Sequence, residues 1–446
     1  MKAMHLASDG TSYATQLTSL QRQLEKDGLA VRDLKMTKKA KVIEEKLSKL
    51  NQIFTPSSPI ETKDLFAGRM TQVKRTLQAL TERGQHAVLY GERGVGKTSL
   101  ANIIDSFLEQ VIVTARVTCN RTDLFGTLWK KVFSRVSLSL SKPGFGFDAK
   151  PKEIKLSLEE ALPKEDDKIE PSHILDALEK ISRQNSEKLF LFIFDEFDSL
   201  ANTATKTKFA DTLKSLSDNC PTITILLVGI AENVTHLIGD HRSLERCLKQ
   251  IRVPRMLSEE IEEIVDKGIE RLGIKISEGV KLDIVDFSEG FPHYTHLLAK
   301  YAAQTAIMND SSVIESMHLK IAVEEAIANA QESIRDSYHR AVLHTRQSSM
   351  FRDVVSACAL VEEDEYGTFK PTDLQEALHK LTGEFIDPKS YRYHLGKLCQ
   401  EEKGLVLQKV GSANRYRYRF TNPLLKAFVR LKLYQQNKIS CYSEPC

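Results

Sequence analysis

Between Tyr90 and Leu100 the chain reads YGERGVGKTSL, directly after the apolar residues HAVL. Three glycines, a lysine and two hydroxyl side chains fall within the nine residues from Gly91 to Ser99. Glycines this close together favour neither helix nor strand, so the segment serves something other than local stability. Gly91, Gly96, Lys97 and Thr98 satisfy the pattern G-x-x-x-x-G-K-[ST], and Gly94 adds a further glycine. A strand-like run precedes the motif and a helix-compatible run, TSLANIIDSFLEQ, follows it. That context belongs to a phosphate-cradling loop. Its backbone N–H groups turn inward toward phosphate oxygens, and the following helix points its positive end at them. Gly91, Glu92, Arg93, Gly94, Val95, Gly96, Lys97, Thr98 and Ser99 are therefore the candidate nucleotide-binding loop. Lys97 supplies charge to the outer phosphates, and Thr98 offers a hydroxyl to Mg2+.

Such a site needs carboxylates at the end of a second apolar strand. KLFLFIFDEFDSL supplies them, with Leu189–Phe194 as the strand and Asp195 and Glu196 at its end. Ligands of open α/β sheets bind at the carboxyl ends of strands. Asp195 is expected to hold Mg2+ through water, with Thr98, and Glu196 to polarise the attacking water. Asp198 reads as a loop or cap residue. A strand candidate at Val111–Cys119 lies between the two motifs in sequence. It suggests that the loop strand and the acidic strand are not sheet neighbours, the arrangement of the subclass with a catalytic glutamate.

Strand-like runs at His86–Tyr90, Val111–Cys119, Lys188–Phe194, Thr222–Val228 and Ile251–Val253 alternate with helical segments. This predicts an α/β fold, a parallel sheet with helices on both faces. Residues 1–55 read as a helical extension, either a partner-binding arm or a helix packed on its own body. The nucleotide-binding core is expected at 56–255, with an inserted mobile loop at 137–171, rich in Pro, Gly, Lys and acids. Residues 256–345 read as a helical lid. Residues 346–438 run helix–helix–helix–hairpin, a winged-helix order, before a tail at 439–446. The longest apolar runs fall well short of the eighteen or so residues of a membrane span. No secretory signal is legible, and the seven cysteines show no metal spacing, so reduced cytoplasmic thiols are expected (nuclear in a eukaryote).

The whole chain carries a formal net charge of +3, yet residues 385–438 hold twelve basic side chains against three acidic ones. Tyrosines are interleaved, in SYRYHL and RYRYRF. This is the electrostatic footprint of nucleic-acid binding. Lys389, Arg392 and Lys397 line one helix that could enter a major groove. Alternation places Arg415, Arg417 and Arg419 on one strand face for phosphate contact, with Tyr416, Tyr418 and Phe420 behind them as core. A protein-docking winged helix fits the same residues.

Beyond the acidic strand comes ITILLVGIAENVTHLIGDHRSLERCLKQIRVPRM. With the two motifs above, it resembles the AAA+ subgroup of P-loop NTPases (the ASCE type). The resemblance is greatest to the origin-recognition and replication-initiator ATPases and the related STAND ATPases. It implies a water- or γ-phosphate-contacting sensor at Asn233, beside Glu232. It also implies an arginine finger at Arg246, with Arg242 as the other candidate, completing a neighbour's site. LFAGRMTQVKRTLQAL resembles the family's segment before the loop, which implies that Phe66, Gly68 and Arg69 lie near the adenine. EGFPHYTHLLAKYA resembles the lid helix that carries a second sensor. Initiators place an arginine there; this chain has His293, and GFP instead matches an element in which Pro292 packs on the base. The resemblance spans about residues 59–433 and implies ATP or ADP with Mg2+ as ligands. Two functions follow from it. One is a DNA-bound, initiator- or loader-like ATPase whose hydrolysis switches its assembly state. The other is a STAND-type signalling ATPase that oligomerises on a trigger and works with a separate effector protein.

Overall fold

The computed structural model describes residues 38–59, 66–136, 138–142, 152–156, 162–184, 188–230, 244, 246–343, 350–412 and 415–442. The chain divides into two compact units, Met1–Ser48 and Lys49–Cys446. The described part of the first unit, residues 38–48, is helical and belongs to α1 (Lys38–Ile53). The second unit carries everything discussed below.

Its centre is a five-stranded sheet in the order β2-β5-β6-β1-β7, with every neighbouring pair parallel. The strands are β1 (His86–Gly91), β2 (Val113–Thr118), β5 (Phe190–Asp195), β6 (Ile223–Ile230) and β7 (Leu248–Arg252). All six residues of β5, FLFIFD, are buried, as expected of a parallel strand covered on both faces. Helices α2 (Met70–Thr81), α3 (Lys97–Leu108), α4 (Phe125–Arg135), α5 (Pro171–Gln184) and α6 (Thr203–Asn219) provide that cover. Trp129 on α4 is fully buried and meets Phe192, Phe194 and Phe209 edge-on or stacked, with ring centroids 5.4–6.1 Å apart. As expected, the loop strand and the acidic strand are not neighbours. The strand between them is β6, while β2 forms the outer edge.

The stretch read as a mobile loop contains an antiparallel hairpin, β3 (Leu138–Lys142) with β4 (Lys152–Leu156). It ends in a segment fastened to α4. Asp166 pairs with Lys130 at 2.6 Å and accepts from Thr127, and Ile169 is fully buried.

A helical layer follows: α7 (Ser258–Leu272), α8 (Glu278–Ser288), α9 (Pro292–Met308) and α10 (Ser316–Ala328), with the two-residue strands β8 (Lys275–Ile276) and β9 (Val313–Ile314). Ala299, Ala302, Ala303 and Ala306 are fully buried, so small side chains let α9 approach its neighbours closely. Phe54, just past α1, fills the notch left by Gly268 on α7. A Cβ on Gly268 would lie 2.2 Å from the Phe54 ring. Helix α11 (Glu332–Val342) leads to the C-terminal module. There α12 (Phe351–Leu360), α13 (Leu374–Thr382) and α14 (Pro388–Leu398) precede the antiparallel pair β10 (Leu407–Val410) and β11 (Arg417–Phe420). Tyr418 and Phe420 are buried. A final helix, α15 (Leu424–Gln435), was not anticipated; the sequence reading ended on strands there.

Candidate nucleotide site

The glycine-rich loop joins β1 to α3 at the carboxyl end of the sheet. Gly96 adopts φ +90°, a conformation strained for any side chain. A Cβ on Gly91 would lie 2.3 Å from the Val253 carbonyl oxygen. The loop therefore requires glycine at both positions. Lys97 is only 8% exposed and curls back on its own loop, donating to the carbonyl oxygens of Gly91 (3.1 Å) and Glu92 (2.7 Å). Burial pulls its pKa down to about 8, against the opposing charges of Asp198, Asp195 and Glu92.

Asp195 ends β5, 2% exposed. Its Oδ2 accepts from Arg116 on β2 at 2.6 Å, and its Oδ1 accepts the N–H of Glu196 at 2.9 Å. Thr98 Oγ1 lies 3.4 Å from the same Oδ1. A hydroxyl and a carboxylate this close suit Mg2+, with Thr98 as a ligand and Asp195 reaching the ion through water. The donor set thus fits the ion. Glu196 is exposed and holds a left-handed backbone, φ +54°. A non-glycine residue pays strain there, as is common where a side chain must point at a ligand. Asp198 accepts the N–H of Ile230 at 2.7 Å and so ties the end of β5 to the end of β6.

A cavity of about 480 Å3 opens over these groups, bounded by Lys97, Thr98, Asp195 and Glu196 on one side and by Thr55–Pro59 and α9 on the other. Its size falls within the range of small-ligand sites. Pro292 at the start of α9 reaches it, 3.7 Å from a Cβ placed on Gly96. His293 is occupied, its Nδ1 2.7 Å from the Pro56 carbonyl oxygen. One turn on, His296 also lines the cavity, and neither ring nitrogen has a partner among the described residues. Sequence reasoning missed it. Phe66 is half-buried, and its carbonyl accepts from Lys267. Arg69 is 2% exposed and donates to the Pro254 carbonyl, while its Nε and Nη1 have no partner among the described residues. Burial lowers its pKa to about 10, although Glu260 opposes the shift. Glu263 and Glu260 of α7 accept the backbone N–H groups of Gly68 and Arg69, which clamps this segment to the helical layer.

The remaining expected residues lie elsewhere. Asn233, Glu232 and Arg242 fall outside the described residues. Arg246 precedes β7, at the amino ends of the strands, and pairs with Asp218 at 3.1 Å. From there it can serve a nucleotide only on another copy. In the C-terminal module Lys389 and Arg392 are exposed on α14, and Lys397 donates to Gln400. Arg415 is exposed. Arg417 is held by Thr368 and by Asp364 at 3.1 Å, and Arg419 by Gln408 at 2.7 Å. Two of the three hairpin arginines are thus engaged within the chain.

The module sits against the loop itself. Leu424, at the start of α15, would lie 3.1 Å from a Cβ on Gly94, and its carbonyl accepts from the buried Tyr294 hydroxyl. Arg255, after β7, bridges Glu92 of the loop (2.7 Å) and Glu363 of the module (2.6 Å). Lys426 joins Glu363 to Glu289, and Arg430 adds contacts to Glu289 and Asp286.

No curated protein matches the chain. Among solved structures, a Walker-type ATPase of Pyrococcus abyssi aligns with TM-score 0.52 at 17% identity, over 84% of this chain and 99% of that one. That likeness shows a shared fold. The Aeropyrum pernix Orc1 protein in complex with DNA aligns at TM-score 0.42 and 14% identity, over 86% of this chain and 96% of that one. Thermotoga maritima RuvB aligns at TM-score 0.42 and 15% identity, over 84% and 97%. The family model described as Novel STAND NTPase 1 matches residues 59–386, and the chain belongs to that family of STAND NTPases.

Proposed function

We propose that the chain is an ATP-driven switch of STAND type. Its C-terminal module, read as a winged helix, closes over the phosphate loop at rest and leaves it when ATP is bound. The observation that carries this reading is Arg255, one guanidinium shared between Glu92 of the loop and Glu363 of the module. Any ligand that repositions the loop must act on that bridge.

Lys97 exchanges two carbonyl partners for the outer phosphates. Phe66, Arg69 and Pro292 enclose the base. Mg2+ entering with the nucleotide would be held by Thr98 and Asp195 and would offset charge on the outer phosphates. Glu196 orients the attacking water, and Asn233 contacts the water or γ-phosphate. Arg246 completes the site of a neighbouring copy, so release of the module is coupled to self-association.

The test is particle mass by light scattering. With ATP and Mg2+, the Arg255→Ala protein is expected to self-associate at concentrations about tenfold lower than wild type, because the loss of two charge-assisted contacts weakens the closed state. An unchanged threshold overturns the reading. Exposed Lys389 and Arg392 on α14 favour a second reading, in which the module also binds duplex DNA. Duplex added to the same samples, at low and physiological salt, tests it.

The low pKa of Lys97 has a further consequence. Phosphate favours the charged ammonium, so the bound form has a raised pKa and binding takes up a proton above about pH 8. ATP affinity is therefore expected to hold below pH 8 and then fall, by up to about tenfold per pH unit. Calorimetry from pH 7 to 9.5 checks the slope; constant affinity contradicts it.

A further inference from the structure

We propose that Arg116 offsets the charge of Asp195 in place of the metal and so lets the loop take nucleotide before Mg2+, an inference that rests on the nucleotide reading above. The Asp195 side chain is only 3% exposed, and a carboxylate that deep is costly without a partner. Arg116 Nη2 meets its Oδ2 at 2.6 Å. Among the described residues no other cationic side chain pairs with it, since Lys97 spends its hydrogen bonds on the Gly91 and Glu92 carbonyls. The other partners of Asp195 are the Glu196 N–H and the Thr98 hydroxyl, both on Oδ1.

Strand geometry aims Arg116 at this place. β2 runs parallel to β5, with Arg116 opposite Ile193 and Thr118 opposite Asp195. Ala115 and Val117 belong to the core around Trp129, so alternation turns Arg116 and Thr118 to the other face, which Asp195 shares. The long guanidinium arm then reaches forward two residues to the carboxylate. Arg116 acts through Asp195 and is a positioning residue. An unpaired Asp195 would meet a triphosphate with a bare negative charge, in a cavity also lined by Glu196 and Asp198. Paired with Arg116, that charge is already offset, and less is left for Mg2+ to do.

The experiment is calorimetric titration of ATP into wild type, Arg116→Gln and Arg116→Lys, each in excess Mg2+ and in excess EDTA. The readout is the ratio of the two dissociation constants, which needs no turnover. In wild type, withholding Mg2+ is expected to weaken ATP by no more than about tenfold. Arg116→Gln should lose about a further tenfold in EDTA and stay within about threefold of wild type in Mg2+. Arg116→Lys keeps the charge and should keep the wild-type ratio. An equal loss in both buffers means a merely structural role and overturns the proposal, and so does an Arg116→Gln protein unaffected in EDTA. Wild type that binds no ATP in either buffer refutes the nucleotide reading instead. If Arg116→Gln does not fold, wild type decides alone: a loss greater than about tenfold in EDTA overturns the assignment.

Discussion

Lys97→Ala abolishes nucleotide binding: the expected loss of affinity for ATP is about a hundredfold or more. Each charge-assisted hydrogen bond to phosphate contributes about 1.5–3 kcal/mol, and the ammonium is positioned to make more than one. The folded state should tolerate the change. The ammonium is buried at a cost visible in its pKa of about 8, and what it satisfies is two backbone carbonyls of its own loop. Removing it frees those carbonyls but also removes a desolvated charge, so the melting temperature should stay within a few degrees. Titration calorimetry and a thermal melt on the same preparation check both halves. Retained ATP affinity would show that the nucleotide does not use this loop.

Glu196→Gln separates binding from chemistry. The side chain is exposed and lines the cavity beside the buried Asp195, with no side-chain hydrogen bond or ion pair among the described residues. Glutamine keeps its shape and removes its ability to take a proton. ATP affinity should remain within about threefold of wild type, while turnover falls about a hundredfold or more, the usual contribution of a positioned general base. Single-turnover hydrolysis measures this. Undiminished turnover would remove Glu196 from the mechanism.

The core of the site was legible because its signals are local. Glycines at fixed spacing announce the loop, and an apolar run ending in two acids announces the strand that faces it. What was missed depends on tertiary contact. His293 and His296 sit one turn apart on α9 and both line the cavity, but no periodicity says that the first is engaged by the Pro56 carbonyl. The alternation in RYRYRF holds for Arg417 and Arg419, with Tyr418 and Phe420 buried behind them, but the strand begins only at Arg417, so Arg415 lies before it and Tyr416, expected in the core, is exposed. It could not reveal that Thr368 and Asp364 hold Arg417, or that Gln408 holds Arg419. Glu92, Arg255 and Glu363 are joined across separations of 163 and 108 residues, beyond any pattern in the primary structure. Helix α15 left a signal that was passed over. Pro423 opens it, Asn422 accepts the Leu424 N–H, and apolar residues recur at 424, 425, 428, 429 and 431. The same helix sets Leu424 against the phosphate loop and so adds to the contact that the Arg255 bridge makes.

A crystal structure of the Glu196→Gln protein grown with ATP and Mg2+ tests the whole account most directly. Triphosphate density within hydrogen-bond reach of Lys97 Nζ, with a metal ion shared by Thr98 and Asp195, is the predicted result. Nucleotide bound elsewhere, or Lys97 still resting on the Gly91 and Glu92 carbonyls with the cavity empty, would contradict it.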